Sequence, residues 1–107
     1  MNDYSYIMRI MKKESKVDKT AKIFKLLGDG TRCRILLILK KHPDGMYVYE
    51  IADTIGMSHS ATSHQLATLE RGGLVSSYKD GQTVLYTLAP GPRTQGLIKA
   101  LFQIHRS

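Results

Sequence analysis

The chain runs to 107 residues, 42% of them hydrophobic and 23% charged, which is one domain's worth of ordinary globular composition and excludes a disordered or fibrous polymer or a separate catalytic domain beside the first. Its longest unbroken apolar run, Ile35 to Leu39, falls far short of the ~20 residues that cross a bilayer, and the polar start from Met1 to Tyr6 lacks a secretory pattern, so no membrane partner is expected. The formal charge of +7 favours a polyanionic partner, because each Lys or Arg that neutralises a phosphate releases a condensed counterion.

Tyr4, Ile7, Met8 and Met11 fall at the i, i+3, i+4, i+7 spacing of an amphipathic helix, and residues 1–16 read as an N-terminal helical extension of a single domain spanning 1–107. A second helix covers Val17 to Leu27, with Ala21, Phe24 and Leu27 on one stripe, and Gly28-Asp29-Gly30 breaks it. Thr31 is placed to cap the next helix, Arg32 to Lys41, which turns Ile35, Leu36, Ile38 and Leu39 inward and stops at His42-Pro43. All of the positive surplus lies in this first part, since residues 1–41 hold eleven Lys/Arg against four Asp/Glu while the remainder balances. A basic solvated helix face accounts for such a run as well as a nucleic acid does.

After the Asp44-Gly45 turn, Val48 to Ile55 reads as a short helix with Ile51, Ala52 and Ile55 facing a core, ended by Gly56. Ser58 then caps a helix through Arg71, and Gly72-Gly73 stops it. Leu74 to Tyr78 and Thr83 to Leu88 are two strands rich in Val, Tyr, Thr and Leu, joined by Lys79-Asp80-Gly81-Gln82, a hairpin signal. A last helix, residues 94–106, carries Leu97, Ile98, Leu101, Phe102 and His105 along one seam, more apolar surface than so small a body needs unless a partner subunit covers it.

The order helix, tight turn, helix, hairpin defines the expected fold class: mainly α with a β-hairpin wing, a winged helix-turn-helix of about five helices and two antiparallel strands. On the second helix of the pair Thr62, Leu66 and Leu69 share one arc, while Ser60, His64 and Arg71 point the opposite way with Ser63 and Thr68 beside them. Short polar side chains of this kind reach base edges and phosphates without holding the backbone away from a major groove. Ser58, His59, Ser60, Ser63, His64, Gln65, Thr68 and Arg71 are therefore the candidate DNA contacts on the helix, and Lys79 and Gln82 those on the wing. The same weakly charged face would also suit solvent or a protein partner. No Ser-His-acid order, phosphate-cradling glycine loop or metal-ligand cluster points to an enzyme.

Three stretches resemble the ArsR/SmtB family of winged-helix repressors: Ala21 to Leu39 (AKIFKLLGDGTRCRILLIL), Ser58 to Leu66 (SHSATSHQL) and Arg71 to Tyr86 (RGGLVSSYKDGQTVLY). Thr62 departs from the aliphatic residue usual in that pattern, although its methyl can still pack inward. The resemblance implies a homodimer joined through first and last helices, with Ile7, Met11, Phe24, Leu97, Ile98, Leu101, Phe102 and His105 as interface candidates. It also implies a pseudo-palindromic double-stranded DNA operator, released when an effector, here unidentified, arrives.

The family's sensor positions are not filled by ligands. Where thiolate-type sensors carry Cys-x-Cys, this chain has Tyr47 and Tyr49, and the zinc-sensor positions hold Pro90, Pro92, Gln103 and Arg106. No metal or other cofactor is expected, with one site left open at His105, either an interface histidine or a ligand shared across a dimer. Cys33, the only cysteine, stands where the family has a core Leu and reads as a small buried hydrophobe. It forbids an intrachain disulfide and fits a reducing cytoplasm; Arg32 and Arg34 beside it could lower its pKa, but only an intersubunit link would make it redox active. Tyr4, Tyr6, Tyr47 and Tyr49 with Met8, Met11 and Met46 either line an apolar effector pocket or pack in the core.

Overall fold

The computed structural model describes residues 3–12 and 15–107; residues 1–2 and 13–14 of the expected N-terminal extension lie outside the described residues. Among the described residues six helices and three strands follow in the order α1 (Asp3–Lys12), α2 (Lys16–Leu26), α3 (Gly30–Lys40), β1 (Met46–Tyr47), α4 (Val48–Ile55), α5 (His59–Arg71), β2 (Val75–Asp80), β3 (Thr83–Leu88) and α6 (Pro92–Arg106).

Local chemistry sets the helix starts. Ser15 and Asp18 form a reciprocal capping box at α2, satisfying amides that would otherwise have no partner. At α3 the cap is Asp29 rather than Thr31: its Oδ1 accepts from the Arg32 amide at 3.1 Å, so Gly30 and Thr31 already belong to the first turn. At α6 the helix begins at Pro92, whose missing N–H costs nothing in the first turn.

α3 is the centre of the packing. Ile35, Leu36 and Leu39 are buried against Ile51 of α4, Leu66 and Leu69 of α5, Leu74, Val75 and Tyr86 of the sheet region, and Ile98 of α6. Each fully buried aliphatic side chain contributes about 1.5–3 kcal/mol, and α2 supplies none of them.

The sheet is antiparallel with strand order β1-β3-β2. β1 adds a third strand to the expected hairpin, pairing Met46 with Tyr86 and Tyr47 with Leu85. Gly45, at φ +95°, makes that pairing possible, because a Cβ there would come within 2.9 Å of Leu85 Cγ and Thr87 Cγ2. β2 runs to Asp80, beyond the expected Tyr78, because Asp80 pairs with Thr83 and leaves only Gly81 and Gln82 in the turn. Gly81 carries the positive φ of +63° that a two-residue hairpin loop requires.

Candidate nucleic-acid interface

α4 ends at Gly56 in a left-handed conformation, φ +70°, which lets the chain reverse before α5. Ser58 caps α5 as its Oγ accepts from the Ala61 amide at 3.1 Å. Thr62 is fully buried and donates its hydroxyl to the Ser58 carbonyl at 2.8 Å, so the polar atom is satisfied while the methyl packs. With Leu66 and Leu69 it seats α5 on the core, and the opposite face is left to solvent.

On that face Ser60, Ser63, His64 and Arg71 are exposed and Thr68 is half-buried. Thr68 donates to the His64 carbonyl at 3.1 Å and accepts from Arg71 Nη2 at 3.2 Å, which steers the guanidinium along the helix. His59 is exposed with Nε2 3.9 Å from Asp53 Oδ1 of α4, a surface pair of small energetic consequence. Gln65 behaves differently: its Oε1 accepts from Arg32 Nη1 at 3.1 Å, and the Nε of the same arginine donates to the Leu26 carbonyl at 2.7 Å. Arg32 thus ties the end of α2 to the middle of α5, and Gln65 is a positioning residue.

Lys79 and Gln82 are exposed near and at the wing tip. Two hydrogen bonds brace the wing: Ser77 Oγ donates to Glu70 Oε2 of α5 at 2.5 Å, and Tyr47 Oη donates to Asp80 Oδ2 at 2.6 Å. The Asp80 bond pushes the Tyr47 phenol above the ordinary tyrosine range. It also fixes a carboxylate that would otherwise swing freely beside any phosphate the tip approaches. Neither brace, nor the Arg32–Gln65 bond, was expected from sequence.

The interface candidates divide. Phe24 is 62% exposed, and with Tyr6, Val17, Thr20 and Ala21 it lines a shallow apolar depression between α1 and α2. Ile7 and Met11 are exposed on α1, and Leu97 and Leu101 lie half-buried on α6 with His105 exposed. Ile98 must be withdrawn as a partner contact: at 2% exposure it belongs to the chain's own core. Phe102 turns toward a cavity beside α3. Ile104, passed over in the seam, is 74% exposed and extends the Leu97–Leu101 flank.

Among the described residues, the tyrosines and methionines named for an effector pocket are spread over the fold. Met46 is in the core, Tyr47 and Tyr49 stack on each other with ring centroids 5.7 Å apart, and Tyr4, Tyr6 and Met11 stay exposed on α1. Among the described residues no three His, Cys, Asp or Glu side chains gather to hold a metal ion, and no helix is long and apolar enough to cross a membrane.

Residues 29–77, from the cap of α3 into β2, match the family described as "Bacterial regulatory protein, arsR family". The transcriptional activator HlyU of Vibrio cholerae is 31% identical over 98 residues, spanning 92% of this chain and 88% of HlyU. The chain belongs to the ArsR family. A solved structure of V. cholerae HlyU superposes on this ArsR-family chain with a TM-score of 0.77 at 31% identity, covering 89% of this chain and all of the other. The homodimeric winged helix-turn-helix DNA-binding domain of a possible ArsR-family regulator from Mycobacterium bovis gives 0.72 at 32% identity, covering 89% and 84%. The cadmium resistance regulatory protein CadC of Listeria innocua is 43% identical over 63 residues, 59% of this chain and about half of CadC, 52%. The fold is a winged helix-turn-helix, and the family consists of DNA-binding transcription regulators, not enzymes.

Cys33 is half-buried, and its environment favours the inert reading over the reactive thiol. Its Sγ–H donates to the Leu27 carbonyl at 3.1 Å, and burial, with Asp29 adding to it, raises the thiol pKa despite the opposing effect of Arg32. The thiol should therefore react with iodoacetamide at pH 7.5 more slowly than free cysteine. A raised folded-state pKa means that the stabilisation is present at neutral pH and is lost as pH rises through the folded value. Comparing the alkaline fall in Tm with that of Cys33→Ala tests this, and identical profiles would refute it.

Proposed function

We propose that this ArsR-family protein acts in the cytoplasm as a homodimeric repressor that binds a pseudo-palindromic operator and leaves it on binding an effector. The observation that carries the reading is the exposed polar face of α5, Ser60, Ser63, His64 and Arg71, held outward by the buried Thr62, Leu66 and Leu69. In this reading Ser60, Ser63 and His64 reach base edges, and His59, Thr68, Arg71, Lys79 and Gln82 serve the phosphates. The Ser58-capped start of α5 presents backbone amides to a phosphate, and Gln65 holds the register through Arg32. CadC is named for cadmium resistance, but the Tyr47–Tyr49 stack offers no thiolate, so the effector is not a thiophilic metal held at those positions.

Fluorescence anisotropy on the promoter upstream of the protein's own gene tests the reading. Specific affinity should exceed that for random DNA by about a thousandfold and fall steeply with salt. His64→Ala and Ser60→Ala should each weaken specific binding by about tenfold while leaving dimerisation intact. Equal affinity for random DNA would refute the proposal. Increased transcription from the bound promoter, the direction named for HlyU, would overturn the repressor assignment alone.

A further inference from the structure

Glu70 is the only acidic residue of α5 and stands in its last turn, where the helix dipole disfavours a carboxylate and favours a cation such as the neighbouring Arg71. It also adds a negative charge to a helix proposed above to meet phosphates. Neither helix stability nor attraction to DNA explains it. Its bond to the wing supplies a reason, since Ser77 Oγ of β2 donates to Glu70 Oε2 at 2.5 Å.

Strand geometry gives that bond leverage. Alternate residues of a strand share a face, so Val75, Ser77 and Lys79 form one row along β2. Val75 is buried in the core, Ser77 is half-buried and Lys79 is exposed. The bond therefore holds the row to α5 two residues before it reaches Lys79. Ser77 is also paired with Tyr86 of β3. Burial raises the pKa of the Tyr86 phenol and the Glu70 carboxylate adds to it, which places that carboxylate near both strands. Residues 78–83 are all exposed, so the tip has no core of its own. Its direction depends on this attachment at its base together with the Tyr47–Asp80 bond.

We propose that Glu70 is a positioning residue for DNA binding: by accepting from Ser77 it locks the wing to the reading helix, so that Lys79 and α5 meet the duplex as one preformed surface. This role rests on the DNA-binding reading above. A wing ordered beforehand need not be ordered on binding, and affinity is preserved.

Bond and charge are separated by Glu70→Gln, which keeps an acceptor oxygen and removes the charge, and Glu70→Ala, which removes both. In anisotropy on the operator, Glu70→Gln should bind at least as tightly as the unsubstituted chain. Glu70→Ala and Ser77→Ala should each bind about tenfold more weakly, and the double variant no more weakly than either. Ser77→Thr, which keeps the hydroxyl, should retain the affinity. On a duplex trimmed to the base pairs beneath the two reading helices all of them should bind alike, because the wing has nothing to touch. A Tm within about 2 °C of the unsubstituted chain separates this effect from unfolding. Equal tightening by Glu70→Ala and Glu70→Gln would overturn the proposal and leave only a repulsive charge. Additive losses in the double variant would overturn it too. Without DNA, amide hydrogen exchange at residues 79–83 should quicken in Glu70→Ala and not in Glu70→Gln; equal rates would show that Glu70 does not hold the wing. An unsubstituted chain with no preference for the operator would instead sink the DNA-binding reading, and the exchange rates alone would then decide whether the lock exists.

Discussion

A chain carrying both Phe24→Glu and Ile104→Glu is expected to sediment as a monomer and to lose about a thousandfold in operator affinity. Both side chains are large, apolar and mostly exposed, at 62% and 74%, so their replacement removes nothing from the protomer's own core. Surface changes of this kind alter stability by only about 0.5 kcal/mol. In a two-fold interface each charge occurs twice and must be desolvated without a partner, which costs several kcal/mol. The DNA consequence is one of avidity: two linked reading helices gain about 10²–10⁴ over one, and that gain vanishes with the second protomer. Analytical ultracentrifugation and anisotropy on a full and a half operator check the pair of effects. Retained dimerisation would show that α2 and α6 do not form the interface. A monomer with undiminished affinity would show that the operator is read by one protomer.

Leu66→Ala should cost about 2–5 kcal/mol, a large part of the ~5–15 kcal/mol that holds a domain of this size folded. Leu66 is fully buried in the middle of α5 and belongs to the cluster built on Ile35, Leu36 and Leu39. Alanine there leaves a cavity directly behind the reading face. A fall in Tm of roughly 15 °C follows, at about 4–8 °C per kcal/mol. Ser60→Ala, one turn and a half away on the solvent side, should leave Tm within about 2 °C while weakening DNA binding. Thermal unfolding of both variants by circular dichroism distinguishes them, and similar losses in Tm would mean that α5 is facing the other way.

The contrast between these two residues shows what the sequence makes legible. The 3.6-residue period of Thr62, Leu66 and Leu69, the Ser58 cap and the Gly56 turn are local signals, and each appears in the structure as expected. The hairpin was readable from Asp80-Gly81 between two β-rich runs, although not its length. β1 was not readable, because two residues have no period; its existence depends on Gly45 allowing a close approach to β3. Asp29 and Thr31 are both good cap residues two positions apart, and only the geometry of the Arg32 amide decides between them. On α6, spacing located an apolar seam but could not say which part faces the chain's own core. Ile98 and Leu97 are neighbours in sequence, yet one lies inside and the other borders the free flank. The bonds from Arg32 to Gln65 and from Tyr47 to Asp80 each join residues 33 positions apart, beyond the reach of any local pattern.

The two hydrogen bonds donated by Arg32 have a mechanical meaning. One guanidinium grips the backbone where α2 ends and the side chain of Gln65 in α5, so those helices are geared together within a protomer. Tilting the reading helix alone would cost a half-buried cation its bond to Gln65. A displacement of α2 is therefore expected to carry α5 with it within the protomer. In the homodimer proposed above, such a coupled movement would change the distance and angle between the two reading helices rather than the shape of either one.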